Sequence, residues 1–115
     1  MSAMISSLSA INAFTTQMNV VSNNIANADT AGFKASQVSL ESGPGQSVNA
    51  SIVQNNTPGP LIPVYGSGGG TQEASNENPV QDITQMAPVQ IGYEVNMRVI
   101  QISSDMLGAI INLIA

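Results

Sequence analysis

The apolar positions in the first quarter of the chain fall at a fixed interval of seven: Met4, Ile11, Met18 and Ile25. Phe14, Val21 and Ala28 fill the second position of the same repeat, with Leu8 at its flank. Residues 3–28 contain no Pro, no Gly and no charged side chain. A heptad of this kind belongs to a helix that follows a partner round a left-handed coiled coil, and at 1.5 Å per residue the predicted helix is ~39 Å long. Its opposite face carries Ser, Thr, Asn and Gln, with Ile5 and Val20 among them, where a solvated helix would present charges. An ordinary core helix of a small bundle is the simpler alternative, and the uncharged outer face counts against it.

The pattern runs out in Asn23-Asn24-Ile25-Ala26-Asn27-Ala28-Asp29-Thr30-Ala31-Gly32-Phe33-Lys34. Asp favours the opening of a β-turn and Gly accepts positive φ, so Asp29 to Gly32 reads as a stop. Phe33 is then placed to pack back on the helix end. Ala35 to Leu40, with Val38 and Leu40 alternating, predicts a short strand. From Gly43 to about Asn78, Pro and Gly are frequent enough to allow only short strands, best placed at Val48 to Gln54 and Leu61 to Tyr65, with a hairpin turn available at Pro58-Gly59. The Gly68 to Gly70 run lacks the following Gly-Lys-Ser or Gly-Lys-Thr of a phosphate loop and reads as a linker.

A second helix is expected from about Val80, interrupted or restarted at Pro88. Placing residues at 100° intervals puts Ile91, Val95, Val99, Ile102, Met106, Ala109, Ile110 and Leu113 on one stripe. Tyr93, Met97, Ile100, Leu107, Ile111 and Ile114 form another. Glu94, Arg98 and Asp105 share the narrow remaining face, where Glu94 and Arg98 can pair at i,i+4. Two-thirds of the circumference is apolar, more than one partner helix can cover. The first stripe (Val95, Val99, Ile102, Met106) is expected to face the N-terminal helix seam (Met4, Ile11, Phe14, Met18, Val21, Ile25). The second (Tyr93, Met97, Ile100, Leu107, Ile111, Ile114) is expected to face neighbouring subunits.

The fold class expected is therefore mainly α: two long terminal helices paired as an antiparallel coiled coil and joined by a Gly/Pro-rich middle with at most short strands. Three regions follow, 1–40, a flexible or hairpin connection over 41–78, and 79–115.

Composition sharpens this picture. The 115 residues are 43% hydrophobic but hold two Phe, two Tyr and no Trp, so few large anchors exist for a chain that would bury only ~65% of its unfolded surface. Only 8% of residues are charged, against ~25% in an ordinary soluble domain. With Lys34 and Arg98 the only cations and a net charge of −5, a nucleic-acid or anionic-membrane partner is not expected. No Cys and no His are present, which removes the usual zinc ligands, thiolate nucleophiles and imidazole bases. Glu94 and Asp105 share a face but stand ~16 Å apart along a helix, beyond the ~5 to 9.5 Å of two-carboxylate hydrolysis. Glu73, Glu77 and Asp82 are too spread for a Ca²⁺ or Mg²⁺ loop. No catalytic, cofactor-binding or metal site is expected. The longest apolar run, Met106 to Ala115, is about half a membrane span, and the N-terminus lacks the basic and apolar blocks of a cleaved signal, so neither membrane insertion nor a cleaved signal peptide is expected.

Two motifs, one near each end of the chain, resemble a known family. Asn23, Asn24, Ile25, Ala26, Asn27, Thr30, Gly32, Phe33 and Lys34, closing a heptad helix, are similar to the N-terminal signature of the bacterial flagellar axial proteins of the rod and hook. Tyr93, Glu94, Val95 and Asn96, then Met106, Leu107 and Gly108 before an apolar end, resemble the C-terminal signature. The resemblance implies a structural, non-enzymatic subunit whose terminal helices pair in the inner layer of a helical tube. It also implies partners: itself or other axial proteins, and the flagellar type III apparatus that exports the unfolded chain to the basal body. The middle is too short for the large β domain of distal rod and hook subunits, which implies a short, proximal-rod-like member. Ala35 stands where a basic residue is common in the family. The alternative expectation is a small exported secretion-system factor, a needle or inner-rod-like subunit or a soluble helical partner.

Overall fold

The computed structural model describes residues 2–66 and 68–114. Helix α1 (Ser2–Ala26) is followed by β1 (Ser36–Gly43) and β2 (Ser47–Gln54), then β3 (Leu61–Val64) and β4 (Gly70–Glu73), and the chain closes with α2 (Pro79–Ile114). Its extents are 80 × 23 × 18 Å. Three layers lie side by side over most of that length: α2, α1, and the β1–β2 hairpin.

The helices run antiparallel, as their contacts establish. Asn24 bonds Asp82, the Phe14 ring lies against Gly92, and Met4, Ile5 and Leu8 meet Ile100. Each step back along α1 is a matching step forward along α2. Extending this register sets Ser2 level with about Ser104, so α2 projects some ten residues, ~15 Å, beyond the first turn of α1.

The hairpin explains why the outer face of α1 is polar but uncharged. β1 and β2 pair antiparallel from Ser36↔Gln54 to Gly43↔Ser47 and lie along α1. Ser6 donates to the Gln46 carbonyl at 2.7 Å, and the Val48 amide donates to the Ser9 hydroxyl at 3.0 Å. Val38↔Ile52 and Leu40↔Ala50 are cross-strand pairs on the face toward α1. Buried Ser7, Ala10 and Ala13 keep the α1 surface small enough for close packing on both sides. Hydroxyls and amides can bond a neighbouring backbone; charges there would lose solvation without compensation.

The strands over 36–43, 47–54 and 61–64 stand close to their sequence expectation, but the pairing differs. No hairpin turns at Pro58-Gly59: β1 joins β2 through Pro44–Gln46, and β3 pairs β4 from Leu61↔Glu73 to Val64↔Gly70. Gly70, expected in a linker, opens β4. The two-strand alternative at Pro58-Gly59 fails because that segment is held against the other side of the chain, with Ala74 donating to the Pro60 carbonyl at 2.8 Å.

Helix α2 is continuous from Pro79 through Pro88, where the sequence predicts a break. Asn78 caps it: the Gln81 and Asp82 amides donate to the Asn78 carbonyl at 3.0 and 3.2 Å, and the Asp82 carboxyl complements the N-terminal dipole. Pro88 and Thr84 lie on the exposed side, so the Thr84 carbonyl deprived of its usual donor remains open to water. The interior is thin. Ala10, Ile11, Ala13, Val21, Ala35 and Val89 are its buried apolar residues.

Candidate functional site

The Asn23–Lys34 motif forms a junction that ties every part of the fold together. Asn24 is 2% exposed. Its amide donates to the Ser36 carbonyl at 2.8 Å and to Asp82 Oδ2 at 2.9 Å, while its Oδ1 accepts from the Ser36 amide at 2.9 Å. One side chain thus fastens α1 to the start of β1 and to the first turn of α2. Asn27 closes the helix end by donating to the Asn23 carbonyl at 2.9 Å and accepting from the Thr30 hydroxyl at 3.2 Å.

Gly32 then takes a φ of 70°, the left-handed region that Gly enters without the Cβ penalty of other residues. This turns its amide onto the Glu73 carbonyl at 2.8 Å, and the next carbonyl, that of Phe33, accepts from Asn76 at 3.2 Å. Lys34 makes the one ion pair among the described residues, with Glu73, and donates to the Thr57 carbonyl at 3.0 Å. The Lys34 ammonium, and then the Gly59 amide that also donates to Glu73, hold the Glu73 carboxyl below its ordinary range.

Several residues of this junction carried no signal in the sequence. Asn76 accepts from the Ala35 amide at 2.7 Å and donates to the Asn55 and Thr57 carbonyls at 2.7 and 2.8 Å, yet it sits in a run that reads as linker. Glu77 lies beside Asp82, with Oε1 buried and unpartnered. Burial first, and the Asp82 carboxyl second, push the Glu77 carboxyl up to about 7.

Along the helix pair the faces differ from expectation. The side of α2 toward α1 consists of Val89, Gly92, Tyr93, Asn96, Val99, Ile100 and Ser103, all buried or half-buried. Val95, Ile102 and Met106, expected on that side, are 52%, 59% and 60% exposed. Tyr93 and Ile100, expected to face neighbours, sit against α1. Phe14 is the cause: a Cβ on residue 92 would lie 2.6 Å from its ring tip, so the ring requires a glycine opposite and fixes the rotation of α2. Hydrophobic bulk alone selects the wrong stripe. On α1 the seam is placed as read, with Ile11 and Val21 buried and Met4, Phe14, Met18 and Ile25 half-buried. Glu94 and Arg98 form no ion pair.

Of the remaining C-terminal residues, Met97, Leu107, Ile111 and Ile114 are exposed, as are Glu94 and Gly108. The projecting end of α2 is apolar throughout except for Asp105 and Asn112. Over an 18-residue window α2 has a mean hydropathy of 1.3 and is long enough to cross a membrane by length and composition.

Two family models match the chain, one near each end. That for the flagella basal body rod protein matches residues 2–34, and that for the C-terminal part of the flagellar basal body rod FlgEFG protein matches residues 69–113. The chain belongs to the flagellar rod and hook family. No curated protein matches the chain. The two matched segments of this rod-family chain are α1 with its junction and β4 with α2, so the fold brings the family's two conserved ends into one antiparallel pair, and the 35–68 stretch between them is the β1–β2 hairpin, β3 and their links. These families are structural, and their place is the flagellar basal body.

Proposed function

We propose that this rod-family chain is a short, proximal-rod-like structural subunit that is exported unfolded through the flagellar type III apparatus and polymerises through α1 and α2, with itself or other axial proteins. The observation that carries the reading is the unfilled surface of α2. Its junction with α1 is fully bonded, yet Leu107, Ile110, Ile111, Leu113 and Ile114 meet nothing within the subunit. Covering an aliphatic side chain contributes ~1.5–3 kcal/mol, and in a helical assembly every such contact repeats from copy to copy. A paired helix layer with no enzyme chemistry and a thin core is suited to being completed by neighbours.

The test replaces Leu107 and Ile111, both exposed, with Ser. Helicity of the dilute chain should be unchanged, and the sedimentable polymer formed at high concentration should be lost. Retained polymer in that variant, or equal loss of helicity, contradicts polymerisation through α2.

A further inference from the structure

The seam of α2 does not stop where α1 stops. Tyr93, Ile100, Leu107 and Ile114 are spaced by sevens, and Val89, Asn96, Ser103 and Ile110 form the second series of the same heptad. Through Ser103 these positions are buried or half-buried on the side that meets α1; Leu107, Ile110 and Ile114 continue the repeat with nothing opposite. A helix that keeps a strict heptad beyond its partner presents knobs and holes for another helix of the same kind. Beside the first turns of α1, Met4, Ile5, Leu8 and Ile100 line an open apolar groove. Arg98 and Asp105 are also one heptad apart, both exposed and both outside the single Lys34–Glu73 ion pair of the described residues.

Resting on the polymerisation reading, we infer that adjacent copies of this chain pack in parallel with a displacement of one heptad along the helix axis, Leu107 of one copy seating in the Met4–Ile5–Leu8–Ile100 groove of the next. The step is ~10.5 Å. A shift of seven residues keeps each knob over an equivalent hole, so Leu107 of one copy lies level with Ile100 of the next. The same shift sets Asp105 opposite Arg98. A shift of three or four residues would separate those charges and take Leu107 off the groove. The first turns of α1 in the second copy then run beside Leu107 and Ile110 of the first and cover most of the projecting segment. The occupant is a second copy because both halves of the charge pair, and both the projecting seam and the groove, belong to this one sequence. The contact is heterologous, so it leaves a free groove at one side and a free projection at the other, and growth stays open-ended.

The absence of Cys provides a clean test. Leu8→Cys combined with Leu107→Cys introduces two thiols that within one copy stand ~14 Å apart along the axis, too far for a disulfide, whose Cα atoms lie within ~7 Å. Mild oxidation of the concentrated full-length variant, its helicity checked against the parent, should give a ladder of linked dimers, trimers and longer species on a non-reducing gel. In parallel, Asp105→Arg should lower the sedimentable polymer about fivefold, the upper range for an exposed ion pair, and adding Arg98→Asp should restore it. Linked dimers without a ladder overturn the inference in favour of a closed antiparallel pair. Failure of the charge swap to restore assembly overturns it as well, as does uptake of the projecting helix by phosphatidylcholine vesicles in place of a ladder. Wild-type polymer without a ladder from the variant overturns the one-heptad contact alone and leaves the rod reading standing; absence of both overturns both.

Discussion

The contact between Phe14 and Gly92 decides how α2 is rotated on α1, and Gly92→Ala turns that claim into a sign. In an exposed helix interior, replacing Gly with Ala stabilises by ~0.8–1 kcal/mol. Here the added Cβ would stand 2.6, 2.9 and 3.1 Å from Cζ, Cε2 and Cε1 of Phe14, inside any real carbon contact. Relieving it requires the ring to leave its place or the helices to separate, and overpacking of this kind costs ~1–3 kcal/mol. The net expectation is destabilisation of up to ~2 kcal/mol, where propensity alone demands a gain. Phe14→Leu shortens the knob, so in that background Gly92→Ala should recover the propensity gain, giving a coupling of at least ~1 kcal/mol between the two sites. Urea unfolding followed by circular dichroism, with trimethylamine N-oxide added to raise the stability of so thin a core, measures all four chains. If Gly92→Ala stabilises the parent chain by the full propensity increment and shows no coupling to residue 14, the packing argument is refuted.

Three further outcomes follow from the same structure. Asn24→Leu removes three hydrogen bonds and strands the Ser36 amide and carbonyl, each unsatisfied buried group costing ~1–3 kcal/mol; amide exchange at Ser36 should accelerate, and unchanged protection would deny Asn24 its role as the tie. Ile100→Asp should abolish helix pairing while Ile102→Asp, 59% exposed, should leave monomer helicity intact, so equal losses in circular dichroism would show that the rotation of α2 is wrong. For Glu77 the folded carboxyl is raised from 4.5 to about 7, so the folded state holds the proton more tightly and stability should fall as pH rises from about 4.5 to about 7, then level off; Glu77→Gln, which mimics the protonated form, should remove that slope from a pH series of unfolding midpoints.

The parts of this fold that sequence revealed are those set by local periodicity. A heptad with no charge or breaker over 3–28 specifies a helix and its seam, and the Asp29–Gly32 turn carries its own chemistry in the positive φ of Gly32. Strand positions also showed through, because Val38, Leu40 and Ile52 alternate with polar residues. What stayed hidden depends on partners distant in sequence. Asn76 and Glu73 look like linker residues until the Phe33–Ala35 backbone is laid beside them, and no pattern within 70–78 announces that. The face of α2 was misjudged for a related reason. Counting bulk favoured Val95 and Ile102, whereas the partner surface contained one ring that needed an empty position, and Gly92 read as a flaw in the helix when it is the socket. Pro88 was misread as a break because the exposure of Thr84 cannot be inferred until the rotation is known.

The central claim is that this rod-family chain is an axial subunit whose two conserved ends, joined as one helix pair, are completed by neighbours in the rod. Electron microscopy of purified basal bodies carrying a small label in the exposed Tyr65–Gly69 turn tests it most directly. The account predicts label confined to the rod segment of the basal body, in register with its helical layers. Label found only in the secreted fraction or the cytosol, with unlabelled rods of normal length, would contradict it and favour a soluble exported factor.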